Sequence, residues 1–321
     1  MSCSFPMQAY LFYDEKNRKE VKILDRTSDP RDFGSLDSCS VKSIYLPCGK
    51  CLGCRIKRSK EWAIRCVHEA SLYTHNCFIT LTYNDEHLPK DLSLNHDHFR
   101  RFMKRLRLKY GPEKRYFQSG EYGEARARPH FHALLFNFDF PDKKYWKTVR
   151  KNDLYISDSL TDLWSYGHCV IGSVTFQSAA YIARYLFKKV FKSDKKFEEH
   201  YGKRKPEYVT MSRNPGIGKG WFDKFYTDIY PSDFIIHDGK KQTIPRFYDK
   251  LLEEKDNALY EKVKWSREIN AKEQKKESLR KMEKYFNKHD YSDFKEFYQS
   301  RKITRETVLH SKYSMLQRTI D

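Results

Sequence analysis

The run from His130 to Phe138, HFHALLFNF, constrains this chain more than any other stretch. It is apolar, rich in aromatic side chains and opened by Pro129, the pattern of a strand. Side chains alternate between faces along a strand, so His130 and His132 point the same way while Phe131 enters the opposite layer. Two imidazoles side by side on a rigid strand can hold one divalent cation. The alternative is a pair of unconnected surface or core histidines.

The surrounding sequence places further elements around that strand. From Arg55 to about Tyr73, the positions Ile56, Trp62, Ala63, Cys66, Val67, Ala70 and Tyr73 recur at three- and four-residue steps, which predicts a helix with one buried face and a basic opposite side. Asn76–Tyr83 (NCFITLTY) is β-branched and aromatic and predicts a strand. A second helix is expected over His96–Tyr110, with Asn95 as N-cap, Phe99, Phe102, Met103 and Leu106 as its buried stripe, and Gly111 as its stop. Its other face carries Arg100, Arg101, Lys104, Arg105, Arg107 and Lys109, a surface that can track phosphates or simply be solvated. Strands are expected at Arg115–Ser119 and near Cys169–Phe176, a helical stretch after Pro141, and a helix from about Ser178 to Phe191. Residues before Pro47 read as an extended lead-in with one or two edge strands. PGIGKGW, ending at Trp221, is a glycine-rich turn and not a Walker loop, because Lys219 is followed by Gly220 rather than Ser or Thr.

Charge narrows the partner. Lys and Arg number 62 against 43 Asp and Glu in 321 residues, a formal net charge of +19. Most of that excess lies before residue 251, so it is not a basic tail appended for loose affinity. With 16% aromatic residues the chain is not a disordered polyelectrolyte, and the expected partner is a polyanion. No apolar run approaches the roughly 18–20 residues needed to cross a bilayer. The start, MSCSFPMQAY, lacks a basic-then-apolar signal pattern, so a cytoplasmic protein without membrane contact is expected. Eight cysteines are too few and too uneven for a secreted disulfide scaffold, and Cys48, Cys51 and Cys54 form C-x-x-C-x-x-C. That triplet is a candidate for three ligands of a structural Zn2+, with Cys39, Cys66 or His68 as the fourth; reduced thiols packed at a turn are the alternative. Cys3, Cys77 and Cys169 read as ordinary small apolar residues.

Two features extend the histidine pair into chemistry. Glu121 and Glu124 lie on the preceding strand or turn, and either can add a carboxylate, making a set suited to Mg2+ or Mn2+ with phosphate oxygens in the open positions. Tyr181-x-x-x-Tyr185 places two phenols on one helix face, with Lys188 and Lys189 one turn beyond. A phenolate attacking phosphorus in line leaves a phosphotyrosine and conserves the phosphodiester energy, which permits re-joining. Phenol titrates near 10, so a metal or the two lysines would help to form the nucleophile. A second tyrosine would let one site cut again while the first is occupied.

These residues sit within a longer set of blocks: PCGKCLGCR at Pro47–Arg55, HEASLY at His68–Tyr73, NCFITLTYNDEHLP at Asn76–Pro89, GEYG at Gly120–Gly123, RPHFHALLFNFDFPD at Arg128–Asp142, SAAYIARYLFKKV at Ser178–Val190 and PEYVTMSRNPGIGKGW at Pro206–Trp221. In this the sequence resembles the replication initiators of gokushovirus-type Microviridae phages, members of the HUH endonuclease superfamily. The resemblance implies an α+β fold, an antiparallel β-sheet flanked by helices in the split β-α-β, ferredoxin-like manner, with a helical C-terminal extension. It implies rolling-circle initiation by nicking one strand of the phage origin, leaving a free 3′-hydroxyl, and later re-joining to release circular single strands. His130 and His132 match the metal histidines, Glu121 fits the upstream acidic ligand better than Glu124, and Tyr181 and Tyr185 match the paired nucleophiles. The implied partners are single-stranded or supercoiled origin DNA and the host DNA polymerase and helicase, in the cytoplasm of the bacterial host. The implied organisation is a lead-in over 1–46, an endonuclease domain with a Cys-rich entry segment over 47–248, and a charged tail over 249–321. Rival readings are a related HUH transposase or relaxase and a non-catalytic, zinc-stabilised DNA-binding protein.

Overall fold

The computed structural model describes residues 3, 5–13, 19–23, 41–123, 127–149, 151–185, 196–289 and 293–315. The chain divides into two compact units, Met1–Lys57 with Tyr285–Asp321, and Arg58–Lys284. In the first, β1 (Met7–Tyr13), β2 (Lys19–Ile23) and β3 (Val41–Leu46) form an antiparallel sheet in the order β2-β1-β3. Its central strand buries Ala9 and Leu11. The β1–β3 register runs from Met7↔Leu46 to Phe12↔Val41, so the residues before β1 emerge beside those after β3. α1 (Leu52–Ala70) follows, starting three residues before the predicted Arg55.

The second unit continues with β4 (Asn76–Thr82), α2 (His96–Tyr110), β5 (Arg115–Tyr122), β6 (Pro129–Phe136), β7 (Lys144–Val149), β8 (Asn152–Ile156), α3 (Asp158–Trp164), β9 (Cys169–Gly172), α4 (Phe176–Tyr185), α5 (Lys196–Tyr201) and β10 (Tyr208–Met211). Among the described residues these strands make a seven-stranded antiparallel sheet, ordered β10-β5-β6-β4-β9-β8-β7, with helices against it: an α+β fold. β6 lies near its centre. Phe131, Ala133 and Leu135 face a core completed by Phe99, Phe102, Met103 and Leu106 of α2 and by Leu160, Leu163 and Trp164 of α3. His130, His132 and Leu134 occupy the other face, where Trp62 of α1 stacks on Phe117 at 5.1 Å and α4 packs on β5 and β6. The alternation predicted for HFHALLFNF thus sorts the imidazoles from the core.

α2 keeps its predicted bounds. The Asn95 side chain accepts from the Asp97 N–H at 3.0 Å, and Gly111 closes the helix at φ 101°. The helix expected directly after Pro141 is instead the β7–β8 hairpin, and only Asp158–Trp164 is helical there. Tyr145, Trp146, Thr148 and Val149 prefer a pleated strand, and Lys151 turns the chain at φ 68°. α3 then starts on Ser157, whose Oγ accepts from the Leu160 N–H. The end of the unit holds α6 (Lys219–Ile229), β11 (Ile235–His237), β12 (Lys240–Gln242), α7 (Arg246–Lys255) and most of α8 (Asn257–Lys288). Here Phe222, Tyr230, Tyr248, Leu252 and Val263 form a second apolar cluster. Arg267 of α8 clamps it by pairing with Asp233 at 2.6 Å and Asp249 at 3.0 Å. α9 (Phe294–Met315) belongs to the first unit, where Phe297 is buried against Tyr285 and Phe286.

Candidate metal centre and its tyrosine

Strand register brings the predicted ligands together. Glu121 of β5 lies opposite His130 of β6, and Ser119 and Thr80 flank His132 from either neighbouring strand. Glu121 Oε1 is 2.9 Å from His132 Nε2 and 3.8 Å from His130 Nε2, and one ligand atom from each of the three side chains lies within 4.8 Å of the others. Glu121 and His132 are buried, 1% and 5% exposed, while His130 is the more open member. Glu124 lies outside the described residues.

The remaining ring nitrogens show how the imidazoles are held. His130 Nδ1–H donates to the Arg128 carbonyl at 3.1 Å, which leaves Nε2 as the lone-pair atom turned toward Glu121. His132 Nδ1 lies 2.9 Å from Thr80 Oγ1, and its Nε2 makes a charge contact with Glu121 without hydrogen-bond geometry. The Arg128 carbonyl is itself fixed, because it accepts from the Gly123 N–H at 3.0 Å where the chain passes from β5 to β6, and the Arg128 side chain bridges Tyr83 O and Asp85. Ser119 Oγ, opposite His132, is buried without a hydrogen-bond partner. Two Nε2 donors, one carboxylate and an adjacent orphaned hydroxyl fit a divalent cation that keeps open positions for oxygen ligands.

α4 brings a phenol to this set. Thr175 and Ser178 cap the helix reciprocally, each backbone N–H donating to the other's hydroxyl at 2.8 and 3.1 Å. Ser59 of α1 ties the helix down by donating to the Ala180 carbonyl at 3.0 Å. Tyr181 therefore sits edge-on to His132, ring centroids 5.1 Å apart, and is 4% exposed. Arg184, one turn on, holds its guanidinium carbon 4.9 Å from the Tyr181 ring. Sequence reasoning missed this arginine, although its i+3 spacing from Tyr181 is a readable signal. Tyr185 is the last residue of α4, and its side chain lies outside the described residues, as do Lys188 and Lys189.

The cysteine triplet also gathers, with a different fourth member. Cys3, Cys48, Cys51 and Cys54 form the second group able to hold a metal ion. Cys3, read from sequence as an ordinary apolar residue, is corrected to a member of this group, because the β1–β3 register carries it beside Cys48. Cys66 is fully buried and His68 is engaged elsewhere, its Nδ1 3.0 Å from Tyr248 Oη and its ring stacked 3.5 Å from Trp221, so neither is the fourth ligand. Cys39 lies outside the described residues. Burial lowers the His68 pKa to about 3, keeping that ring neutral.

The glycine-rich turn is an anchor. Buried Glu69 accepts from the Gly218 N–H at 2.7 Å and from Arg115 Nε at 2.5 Å, and Arg65 Nε donates to the Ile217 carbonyl. Gly218 stands at φ 83°, and a Cβ there would meet Tyr248 Oη at 2.5 Å. On α2, Arg105 and Arg107 bond to Trp164 O and Lys114 O, while Arg101, Lys104 and Lys109 stay exposed.

The fold and site thus define an α+β protein whose central antiparallel sheet presents a His/His/Glu metal-binding set beside a helix-borne tyrosine. The family profile of the replication-associated protein ORF2 matches residues 76–190, which run from β4 through α4. The replication-associated protein VP4 of Bdellovibrio phage phiMH2K is 34% identical over 295 residues, covering 87% of this chain and 91% of that protein. The replication-associated protein ORF2 of Spiroplasma virus 4 is 34% identical over 291 residues, covering 85% and 87%. ORF4 of Chlamydia phage 1 is 28% identical over 273 residues, covering 76% and 66%. This chain belongs to the family of phage replication-associated proteins. No solved structure matches it. Among the described residues, no helix is long and apolar enough to cross a membrane.

Proposed function

We propose that this protein starts rolling-circle replication by nicking one strand of its phage's origin DNA through a tyrosine of the HUH type. The observation that carries the reading is the contact of Tyr181 with His132 inside the Glu121–His130–His132 set. When bound by these three side chains, Mg2+ or Mn2+ would polarise a non-bridging oxygen of the scissile phosphate and stabilise the charge that develops on it. The Tyr181 hydroxyl loses its proton, its oxygen bonds to phosphorus, and the bond from phosphorus to the 3′-oxygen breaks. The products are a 5′-phosphotyrosine and a free 3′-hydroxyl, which a host polymerase can extend. Attack by a later 3′-hydroxyl on the phosphotyrosine reverses the step and re-joins the strand.

Arg184 beside Tyr181 favours the phenolate and can meet the phosphate, a role the sequence reading gave to Lys188 and Lys189. Tyr185 follows Tyr181 by four residues on α4 and is the second nucleophile of this proposal. The family's place in phage replication supports origin DNA as the substrate, and the host polymerase and helicase in the bacterial cytoplasm as partners. The test is to incubate the full chain with single-stranded origin DNA and Mn2+, then to denature. A protein–DNA adduct that resists denaturation and requires Tyr181 or Tyr185 is expected. A protein that binds the DNA but never cuts or joins it overturns the reading in favour of a DNA-binding module.

A further inference from the structure

The four cysteines gathered in the first unit are not part of that chemistry, and their geometry is informative by itself. Cys3 Sγ lies 3.4 Å from Cys48 Sγ and 3.8 Å from Cys51 Sγ, and all four sulfurs lie within 4.8 Å of one another. Sulfurs placed tetrahedrally about one ion at a metal–sulfur distance of about 2.3 Å are separated by about 3.8 Å, so this spacing is that of a single tetrahedral centre. A disulfide would need about 2.05 Å, and all four thiols are free. We propose that Cys3, Cys48, Cys51 and Cys54 hold one structural zinc ion, with Cys3 as the ligand that completes the set.

Three local features prepare the site. The Met7↔Leu46 pairing sets the ends of β1 and β3 side by side, which brings Cys3 to Cys48 across 45 residues of sequence. Gly49 turns the chain at φ 71°, a conformation that side-chain-bearing residues avoid, and Cys51 then directs its N–H to Cys48 Sγ at 3.3 Å. Cys48 N–H donates to Cys3 Sγ at 3.2 Å. Amide donors of this kind orient and stabilise thiolate ligands. Cys51 and Cys54 also straddle the first turn of α1, where the helix dipole favours negative sulfur. All four ligands are soft and the set is closed, which selects zinc of structural type over Mg2+ or Mn2+. The need is physical: a three-stranded sheet whose central strand buries Ala9 and Leu11 has little apolar area to stand on, and a metal fastening both strand ends to α1 supplies what the core lacks.

Metal analysis of the full chain carrying His132→Ala, which disables the other metal set, should find one zinc per chain retained through dialysis against EDTA. Replacement by Co2+ in the parent should give the thiolate-to-cobalt charge-transfer and intense visible bands of a tetrahedral four-sulfur site. Cys3→Ser should change these bands to a three-sulfur pattern and lose zinc during the same dialysis. Alkylation mapping of the parent needs no variant: Cys3 should be protected together with Cys48, Cys51 and Cys54, and all four should become reactive when the ion is stripped. Iron in place of zinc, cobalt bands without thiolate charge transfer, a Cys3→Ser spectrum identical to the parent, or Cys3 alkylated while the triplet stays protected would each overturn the assignment.

Discussion

Thr80→Val tests whether the metal set is built through the sheet. Thr80 Oγ1 stands 2.9 Å from His132 Nδ1, on the β4 strand paired with β6. Valine keeps the β-branched shape and leaves no cavity, so the change removes one hydrogen bond and little else. As a plain stability term that bond is worth about 0.5–1.5 kcal/mol. Its larger effect is on His132: without an oxygen at Nδ1, nothing favours the tautomer whose Nε2 lone pair faces Glu121, nor fixes the ring plane between Phe78 and Tyr181. Losing such a partner lowers metal affinity or activity about 10- to 100-fold. The assay is origin nicking titrated with Mn2+. The half-activating Mn2+ concentration should rise by that factor, saturating metal should restore most of the rate, and Thr80→Ser should behave as the parent. An unchanged Mn2+ requirement in a folded Thr80→Val protein would refute the orienting role and leave Thr80 as packing.

Further outcomes follow from the same geometry. Buried His68 has its pKa lowered from 6.5 to about 3, so between those values the unfolded chain binds the extra proton and stability falls as pH falls. The penalty is about 2 kcal/mol between pH 7 and 5. Urea midpoints should show His68→Gln losing that much less than the parent, and parallel profiles would contradict it. Arg184→Gln should slow adduct formation and move the acid limb of its pH–rate profile up by about one unit, since a cation near a phenol favours the phenolate. A slower reaction with an unmoved limb would limit Arg184 to phosphate binding. Phe131→Ala, fully buried against Phe99 and Trp164, should cost about 3–5 kcal/mol in chemical denaturation.

What the sequence disclosed was what local physics governs. The bounds of α2, its cap at Asn95 and its stop at Gly111 follow from periodicity and capping, and the structure reproduces them. The shared face of His130 and His132 follows from strand alternation, and the position of Glu121 needed only the adjacent strand. What escaped depended on pairing at a distance. Cys3 joins its partners through the β1–β3 register, which no local pattern encodes. The β7–β8 hairpin carries Lys144, Lys147 and Lys151 on exposed positions, which weakened the alternation signal of its aromatic residues. Leu252 and Val263 looked like scattered apolar residues because the cluster they complete is built from Phe222 and Tyr230. Arg184 was hidden among the other cations of the α4 region, and only its nearness to Tyr181 marks it.

The most direct test of the central claim uses one origin strand labelled separately at each end. With parent protein and Mn2+, the 3′-labelled strand should migrate with the protein after denaturation, while the 5′-labelled strand releases a shorter fragment that a polymerase can extend. Peptide mapping should place the nucleotide on Tyr181 or Tyr185, and both Tyr181→Phe/Tyr185→Phe and His132→Ala should form no adduct. Cleavage without an adduct, or an adduct that survives loss of both tyrosines, would contradict the account.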